Sequence, residues 1–120
     1  MSELKTIRDI VGLGDESTPI SNSALIIIDA QNTYCEGIMK LEGVEKAIQE
    51  CRVLLDRFRK AGSPVFHIQH DAGAGTPYDV NNRIGQIVDS LSPIEGELVI
   101  TKNYPNSFAG TELDALLKKA

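Results

Sequence analysis

The sequence has few cysteines, no long apolar run and fewer basic than acidic residues. Its 2 cysteines cannot form a disulfide framework, and their spacing suits no zinc site. No apolar stretch approaches the roughly 20 residues that a membrane-spanning helix needs, and the first residues lack the pattern of a signal peptide. With 12 basic and 17 acidic residues, the chain has no clustered basic surface for nucleic acid. These shortages favour a cytoplasmic protein that binds neither membrane nor nucleic acid.

What is present is the composition of one small folded domain. Of the 120 residues, 42% are hydrophobic and 24% are charged, and there is no internal repeat or low-complexity tract. Apolar runs and amphipathic segments alternate along the chain. They predict, in order, a short helix and loop over 1–23, a strand over 24–29, a helix over 44–61, a strand from 64 to 69 or 70, one or two helical turns over 84–91, a strand over 97–102, and a helix opened by a capping box at 111–114.

The alternation of strands and helices predicts an α/β fold with right-handed crossovers. The first strand is a continuous run of β-branched and aliphatic residues over 25–28, which is typical of a parallel strand buried on both faces. Such a strand is too apolar for the open edge of a sheet, where it would promote aggregation.

Polar residues end each of the three predicted strands: Asp29, then His70 or Asp71, then Lys102. The carboxyl ends of parallel strands share one edge of a sheet, so these side chains are candidates for one cleft. A carboxylate and a lysine that face each other can handle protons or hold an anionic substrate. A structural ion pair, or unrelated solvated strand ends, are the alternatives.

Two segments resemble known motifs. The segment DAQNTYCEG over 29–37 resembles the first motif of the isochorismatase-like hydrolases, the superfamily that includes the nicotinamidases. The segment VITKNYPNSFAGT over 99–111 resembles their second motif, in which a lysine ends a strand and a threonine caps the next helix. The two motifs occur in the family's order with a strand between them, and the resemblance covers residues 20–120.

The resemblance implies a catalytic triad of Asp, Lys and Cys that hydrolyses a small amide or related C–N bond. Asp29 matches the general base, which takes the thiol proton, and Lys102 matches the lysine that supports the charge. The family's cysteine follows a fourth strand, so the nucleophile is expected beyond residue 120. Cys35 matches a family position that often carries a cysteine without being the nucleophile; the alternative is that it approaches the cleft as a substitute nucleophile. Cys51 lies on the apolar stripe of the predicted helix, where a small buried hydrophobic residue is expected.

The resemblance also implies a three-layer, Rossmann-like parallel sheet with helices on both faces. The family's sheet is larger, so residues 1–120 are expected to form the N-terminal part of a single domain, with only its first three strands. The rest of the sheet is expected from a second copy in a homo-oligomer or from a complementing C-terminal segment.

The family's pocket is shaped by the loop after the second strand and by the segment near Phe108. Tyr34, His70, Tyr78 and Phe108 are therefore candidates for contact with a small-molecule substrate; core packing is the alternative for the three aromatic residues, and a solvated loop position is the alternative for His70. His67 and His70 are three positions apart on a strand and so point to opposite faces, which argues against a shared metal ion. No metal or cofactor is expected, and His67 is predicted to be a packed, hydrogen-bonded core residue.

Two other functions stay open. Some members of the family lack the cysteine and hydrolyse the vinyl ether of isochorismate, with the aspartate protonating the substrate. Alternatively, the chain is a catalytically inactive fragment or a binding module.

Overall fold

The computed structural model describes residues 4–120, and they form one parallel sheet with helices on both faces. The strands are β1 (Leu25–Ile28), β2 (Val65–His70) and β3 (Leu98–Lys102), in the spatial order β1-β2-β3. The α-helices are α1 (Ile7–Ile10), α2 (Val44–Ala61) and α3 (Leu113–Lys119). Short 3-10 helices occupy Ile20–Asn22, Asn32–Tyr34, Gly37–Met39, Arg83–Gly85 and Asp89–Leu91.

The boundaries of α2 follow from local sequence. The helix spans Val44–Ala61, as its apolar periodicity predicts, and ends at Gly62. Gly62 adopts a left-handed conformation with φ of 69°, which closes the last turn and favours glycine. Pro64 then prevents the helix from continuing.

Each face of the sheet carries its own hydrophobic core, because successive side chains of a strand point to opposite faces. On the α2 side the buried residues are Ile27, Leu55, Phe58, Val65, Val88 and Leu91. On the α3 side they are Phe66, Ile68, Ile100 and Leu113. The predicted α/β architecture, a parallel sheet between two helical layers, is therefore confirmed.

Strand β1 has the composition of an interior strand, but the further strand expected beside it is not among residues 4–120. Within residues 4–120 it pairs only with β2 and forms an edge of the sheet. Its last residue, Ile28, is 53% exposed. An apolar side chain is thus left open to solvent on an edge strand, the situation that natural sheets usually avoid.

The predicted capping box of the last helix was wrong. The N-cap of α3 is Glu112, which makes no side-chain cap bond, while the Thr111 hydroxyl donates backwards to the Ser107 carbonyl (2.7 Å). A capping box does occur at α1, where the Thr6 hydroxyl accepts from the Asp9 N–H (3.2 Å) and the Asp9 carboxylate accepts from the Thr6 N–H (2.8 Å). The predicted N-terminal helix is thus only one turn long; residues 1–3 lie outside the described part.

In the part of the chain that the structure describes, no helix combines the length and apolarity needed to cross a membrane.

Candidate active site

The predicted pair of Asp29 and Lys102 meets at the carboxyl edge of the sheet. Lys102 Nζ lies 3.3 Å from Asp29 Oδ2, so the lysine reaches across the intervening strand β2. The Lys102 side chain is 3% exposed and that of Asp29 is 23% exposed. An ion pair shielded from water to this degree interacts more strongly than one on the surface. The alternative of two unrelated solvated strand ends is thereby excluded.

The backbone at Asp29 is unusual. Its φ is 56°, and among residues 4–120 it is the one residue other than glycine with a positive φ. A left-handed conformation is uncommon for a residue with a side chain, and it occurs often at functional sites. It turns the chain sharply where β1 ends, so that the carboxylate stays at the sheet edge.

His70 occupies the strand between the two charged residues. It pairs in register with Lys102, and its Nδ1 lies 2.9 Å from Lys102 Nζ. Both side chains belong to the sheet face that carries Ile68 and Ile100, since these residues alternate along their strands. Asp29, His70 and Lys102 therefore form one contiguous polar cluster.

Two tyrosines form a wall beside this cluster. The Tyr78 ring packs edge-on against His70 at 5.0 Å between centroids and against Tyr34 at 5.9 Å. The hydroxyls of Tyr34 and Tyr78 lie 2.7 Å apart. Burial, and then the hydrogen bond with Tyr78, raises the pKa of Tyr34 well above its usual value, and the charge of Asp29 contributes further. The Tyr34 hydroxyl therefore stays protonated at neutral pH.

Three residues that directly follow Asp29 and Ala30 hold the site together, and sequence reasoning assigned them no role. Gln31, which is 1% exposed, donates from Nε2 to the carbonyls of His70 (2.9 Å) and Gly85 (2.7 Å) and accepts the His70 N–H at Oε1 (2.9 Å). Asn32 Nδ2 donates to the Arg83 carbonyl (2.7 Å). The Thr33 hydroxyl lies 2.7 Å from the Pro77 carbonyl. A run of polar residues immediately after a buried strand was the available signal.

The loop after β2 is fixed from within by Asp79. Its carboxylate accepts the N–H groups of Gly75 (3.0 Å) and Asn81 (3.0 Å) and the Asn82 side-chain amide (2.9 Å). These bonds, that from Gly75 first, hold the pKa of Asp79 below its usual value. The loop that carries Tyr78 is therefore an ordered wall of the site.

Comparison with known proteins shows to which family the chain belongs. The profile described as Isochorismatase domain matches residues 23–120. The chain belongs to the isochorismatase family. The segment matched includes both motifs and every residue of the cluster described above.

Three relatives of this isochorismatase-family chain illustrate its neighbours. It is 36% identical over 98% of its length to the secreted isochorismatase effector Isc1 of Verticillium dahliae, and covers 62% of that protein. It is 37% identical to an isochorismatase from Pseudomonas putida of known crystal structure, with a TM-score of 0.91, covering 98% of this chain and 60% of that one. It is 30% identical to a streptothricin hydrolase of Streptomyces noursei, over 81% of this chain and 35% of that one. The chain thus spans about 60% of the length of the first two.

Neither cysteine of this isochorismatase-family chain belongs to the cluster. Cys35 and Cys51 are free thiols that pack against the core on the α2 side, the face opposite to Lys102. Burial is the main cause that raises the pKa of both thiols, and for Cys35 the carboxylates of Glu45 and Glu36 add to it. Burial therefore disfavours the thiolate form of both cysteines.

The remaining candidates occupy different surroundings. Phe108 is 50% exposed and follows β3 on a loop, outside the aromatic wall that the structure describes. His67 is 1% exposed, and its Nε2 lies 2.8 Å from Glu97 Oε1 on the α2 side, which confirms the prediction of a hydrogen-bonded core histidine. No group of three or more potential metal ligands occurs in residues 4–120.

Cavity volume does not identify the polar cluster as the site. Two cavities of about 420 Å³ lie along the α3 side, one lined by Phe66, Leu98 and Leu116 and the other by Ile100 and Thr111. They contain apolar surface and no member of the polar cluster. We assign the site from the geometry of its ionisable groups. Proton transfer and charge stabilisation depend on such groups and not on the volume of a cavity.

Gly85 is expected to be essential for the loop wall. A Cβ at this position would overlap the backbone of Asp79, which cannot rotate away as a side chain could. We expect Gly85→Ala to lower the free energy of unfolding by about 2 kcal/mol, as overpacking does, measured by urea denaturation. Gly14→Ala is the matched control, because its nearest neighbour lies 4.0 Å away; equal stability of the two variants would contradict the prediction.

Proposed function

We propose that this chain carries the acid–base part of a hydrolase active site that cleaves a small amide or related C–N bond. The observation that supports the proposal best is the shielded pair of Asp29 and Lys102 at the carboxyl edge of the sheet. This is where open α/β sheets bind their ligands. The streptothricin hydrolase among the relatives favours hydrolysis as the reaction class.

The two oxygens of Asp29 have different surroundings, which suggests different tasks. Oδ2 faces Lys102 Nζ, whereas Oδ1 is buried and has no hydrogen-bond partner among the described residues. An unpaired carboxylate oxygen is a costly arrangement unless another group binds there. In the proposed mechanism Oδ1 takes the proton of the nucleophile, and the Lys102 ammonium stabilises the negative charge that develops.

We further propose that the nucleophile is a cysteine outside residues 1–120. Both cysteines of the chain pack on the opposite side of the sheet and have raised pKa values, so neither suits this role. The longer relatives have room for such a residue.

A related proposal concerns the edge strand β1. Its exposed Ile28 and unpaired backbone are suited to a further parallel strand, supplied by a second copy of the chain or a complementing C-terminal segment. Native mass spectrometry of the purified protein tests this. A stable 13.1 kDa monomer that unfolds cooperatively would contradict it. The cytoplasmic location stays a prediction, and one relative is named as secreted.

Hydrolysis is tested by incubating the native protein, purified together with the segment proposed to carry the cysteine, with small primary amides, such as nicotinamide and benzamide, and separately with isochorismate. Release of ammonia from an amide is the expected result. Release of pyruvate from isochorismate would favour vinyl-ether hydrolysis, in which Asp29 acts as an acid. A correctly folded protein that releases neither product would contradict the proposal and favour a binding module.

A further inference from the structure

His70 lies at the centre of the polar cluster, and its hydrogen bond with Lys102 defines where its proton is. Lys102 Nζ lies 2.9 Å from His70 Nδ1 and 3.3 Å from the Asp29 carboxylate. An ammonium group has three donors and no acceptor, and that of Lys102 forms an ion pair with the Asp29 carboxylate. His70 Nδ1 must therefore accept with its lone pair. A neutral imidazole then carries its single proton on Nε2.

The Nε2 side of the ring is open to a ligand. No group in residues 4–120 forms a hydrogen bond to His70 Nε2, and this atom is not one of the buried atoms without a partner, unlike Nδ1 of His67. Among the described residues the atom is therefore unpaired, and it is not fully buried.

The histidine is also held rigidly. Gln31 binds both its backbone N–H and its carbonyl, each at 2.9 Å, and the Tyr78 ring packs edge-on against the imidazole at an interplanar angle of 77°. A donor with a fixed position and direction loses little entropy when it binds a ligand, so it can select one.

We propose that His70 works in the site as a neutral imidazole whose Nε2–H donates to an acceptor oxygen of the substrate, a carbonyl or carboxylate oxygen. This rests on the proposed function, of which it specifies the substrate class. A second proton on the ring would have to sit on Nδ1, directly facing the Lys102 ammonium, so His70 is a binding donor and not a general acid. The site then selects substrates that carry an oxygen acceptor beside the reacting bond and disfavours cationic groups there.

The protonation and tautomeric state of His70 can be measured without any substrate. Long-range proton–nitrogen correlation spectra of the ¹⁵N-labelled protein at pH 7.5 distinguish the two neutral tautomers from the imidazolium. The chain has 2 histidines, so the signals lost in His70→Asn identify His70. We expect the neutral form with the proton on Nε2. A ring protonated on Nδ1, or an imidazolium, would overturn the proposal.

Two lysine variants test whether Lys102 causes this state. Lys102→Met should allow both tautomers of His70 to appear, since the donor to Nδ1 is gone. Lys118→Met is the matched control, because Lys118 also pairs with a carboxylate, Asp114, at 2.9 Å but on the exposed side of α3. An unchanged His70 spectrum in Lys102→Met would overturn the assigned cause.

Kinetics with the best amide of the hydrolysis screen test the donor role. His70→Leu removes the donor and should raise KM about tenfold, the effect of one hydrogen bond, while kcat changes less. His70→Gln keeps an amide donor and should recover most of that loss. Equal KM values for the two variants would overturn the donor role. If no substrate is hydrolysed at all, the proposed function fails, whereas the NMR spectra still decide the state of His70.

Discussion

Replacing Glu97 with glutamine is expected to lower the free energy of unfolding by about 3 kcal/mol, because the change breaks a buried charge network. The Glu97 side chain is 7% exposed and binds the Arg59 guanidinium through two contacts, at 2.8 and 2.9 Å. It also binds His67 Nε2 at 2.8 Å. The network links α2, β2 and the start of β3, so its loss leaves the half-buried Arg59 cation without its counter-charge.

The same network predicts how stability depends on pH. Arg59 first, and then His67 and the Ile94 N–H, lower the pKa of Glu97 to about 2 from 4.5, against the opposing effect of burial. A carboxyl whose pKa is depressed in the folded state stabilises the fold above its unfolded pKa. That contribution, about 3 kcal/mol, is therefore lost as the pH falls from about 4.5 to about 2.

Urea denaturation at pH 7, and at steps from pH 5 to pH 2, checks both statements. We expect Glu97→Gln to be less stable at pH 7 and to lose less stability on acidification than the wild type. Glu95→Gln is the matched control on the same turn, since that side chain is exposed. If the free energy of unfolding of Glu97→Gln lies within about 0.5 kcal/mol of the wild-type value, as for surface substitutions, the network does not stabilise the fold.

Replacing Asp29 with asparagine is expected to lower kcat by about a thousandfold, within the range that general acid–base catalysis contributes. Asparagine preserves the shape of the side chain but cannot take a proton at the position of Oδ1. It also removes the charge that faces Lys102 Nζ at 3.3 Å. The expected loss rests on the proposed function.

The matched control for this substitution is Asp114→Asn, which breaks a second aspartate–lysine pair, 2.9 Å long, on the surface of α3. This control should keep its activity, because exposed ion pairs contribute little to stability or to a distant site. Circular dichroism should show that both variants are folded. A folded Asp29→Asn protein with more than a tenth of wild-type activity would remove Asp29 from the mechanism.

The helical elements show what local patterns predict well and where they fail. The bounds of α2 agree with its periodicity, since an apolar stripe, a glycine cap and a following proline are all local signals. The apolar spacing places Ala47 and Leu54 on the same stripe as Leu55, but the structure exposes both of them and buries Leu55. Exposure depends on what packs opposite each residue, and in α2 that is set by β1, β2 and the loops around Leu91.

The candidate site shows the same limit. Asp29, His70 and Lys102 were identified as strand ends, because parallel strands bring their carboxyl ends to one edge. The hydrogen bonds from Gln31 to the backbone of His70 and Gly85 were not predicted, because these partners lie 39 and 54 residues away along the chain. A side-chain hydrogen bond to a distant backbone carbonyl leaves no periodic pattern in the sequence.

The sequence by itself determined the α/β class, the order of the strands along the chain, the family motifs and the three polar strand ends, because each depends on short-range pattern or residue type. Only the tertiary structure decided the spatial order with β2 in the middle, the left-handed turn at Asp29 and the contact of Lys102 with both Asp29 and His70. These features depend on pairing and packing between residues far apart in the chain. The physical reason is that a parallel sheet can join its strands in several orders, and the contacts of a flexible lysine follow only once one order is formed.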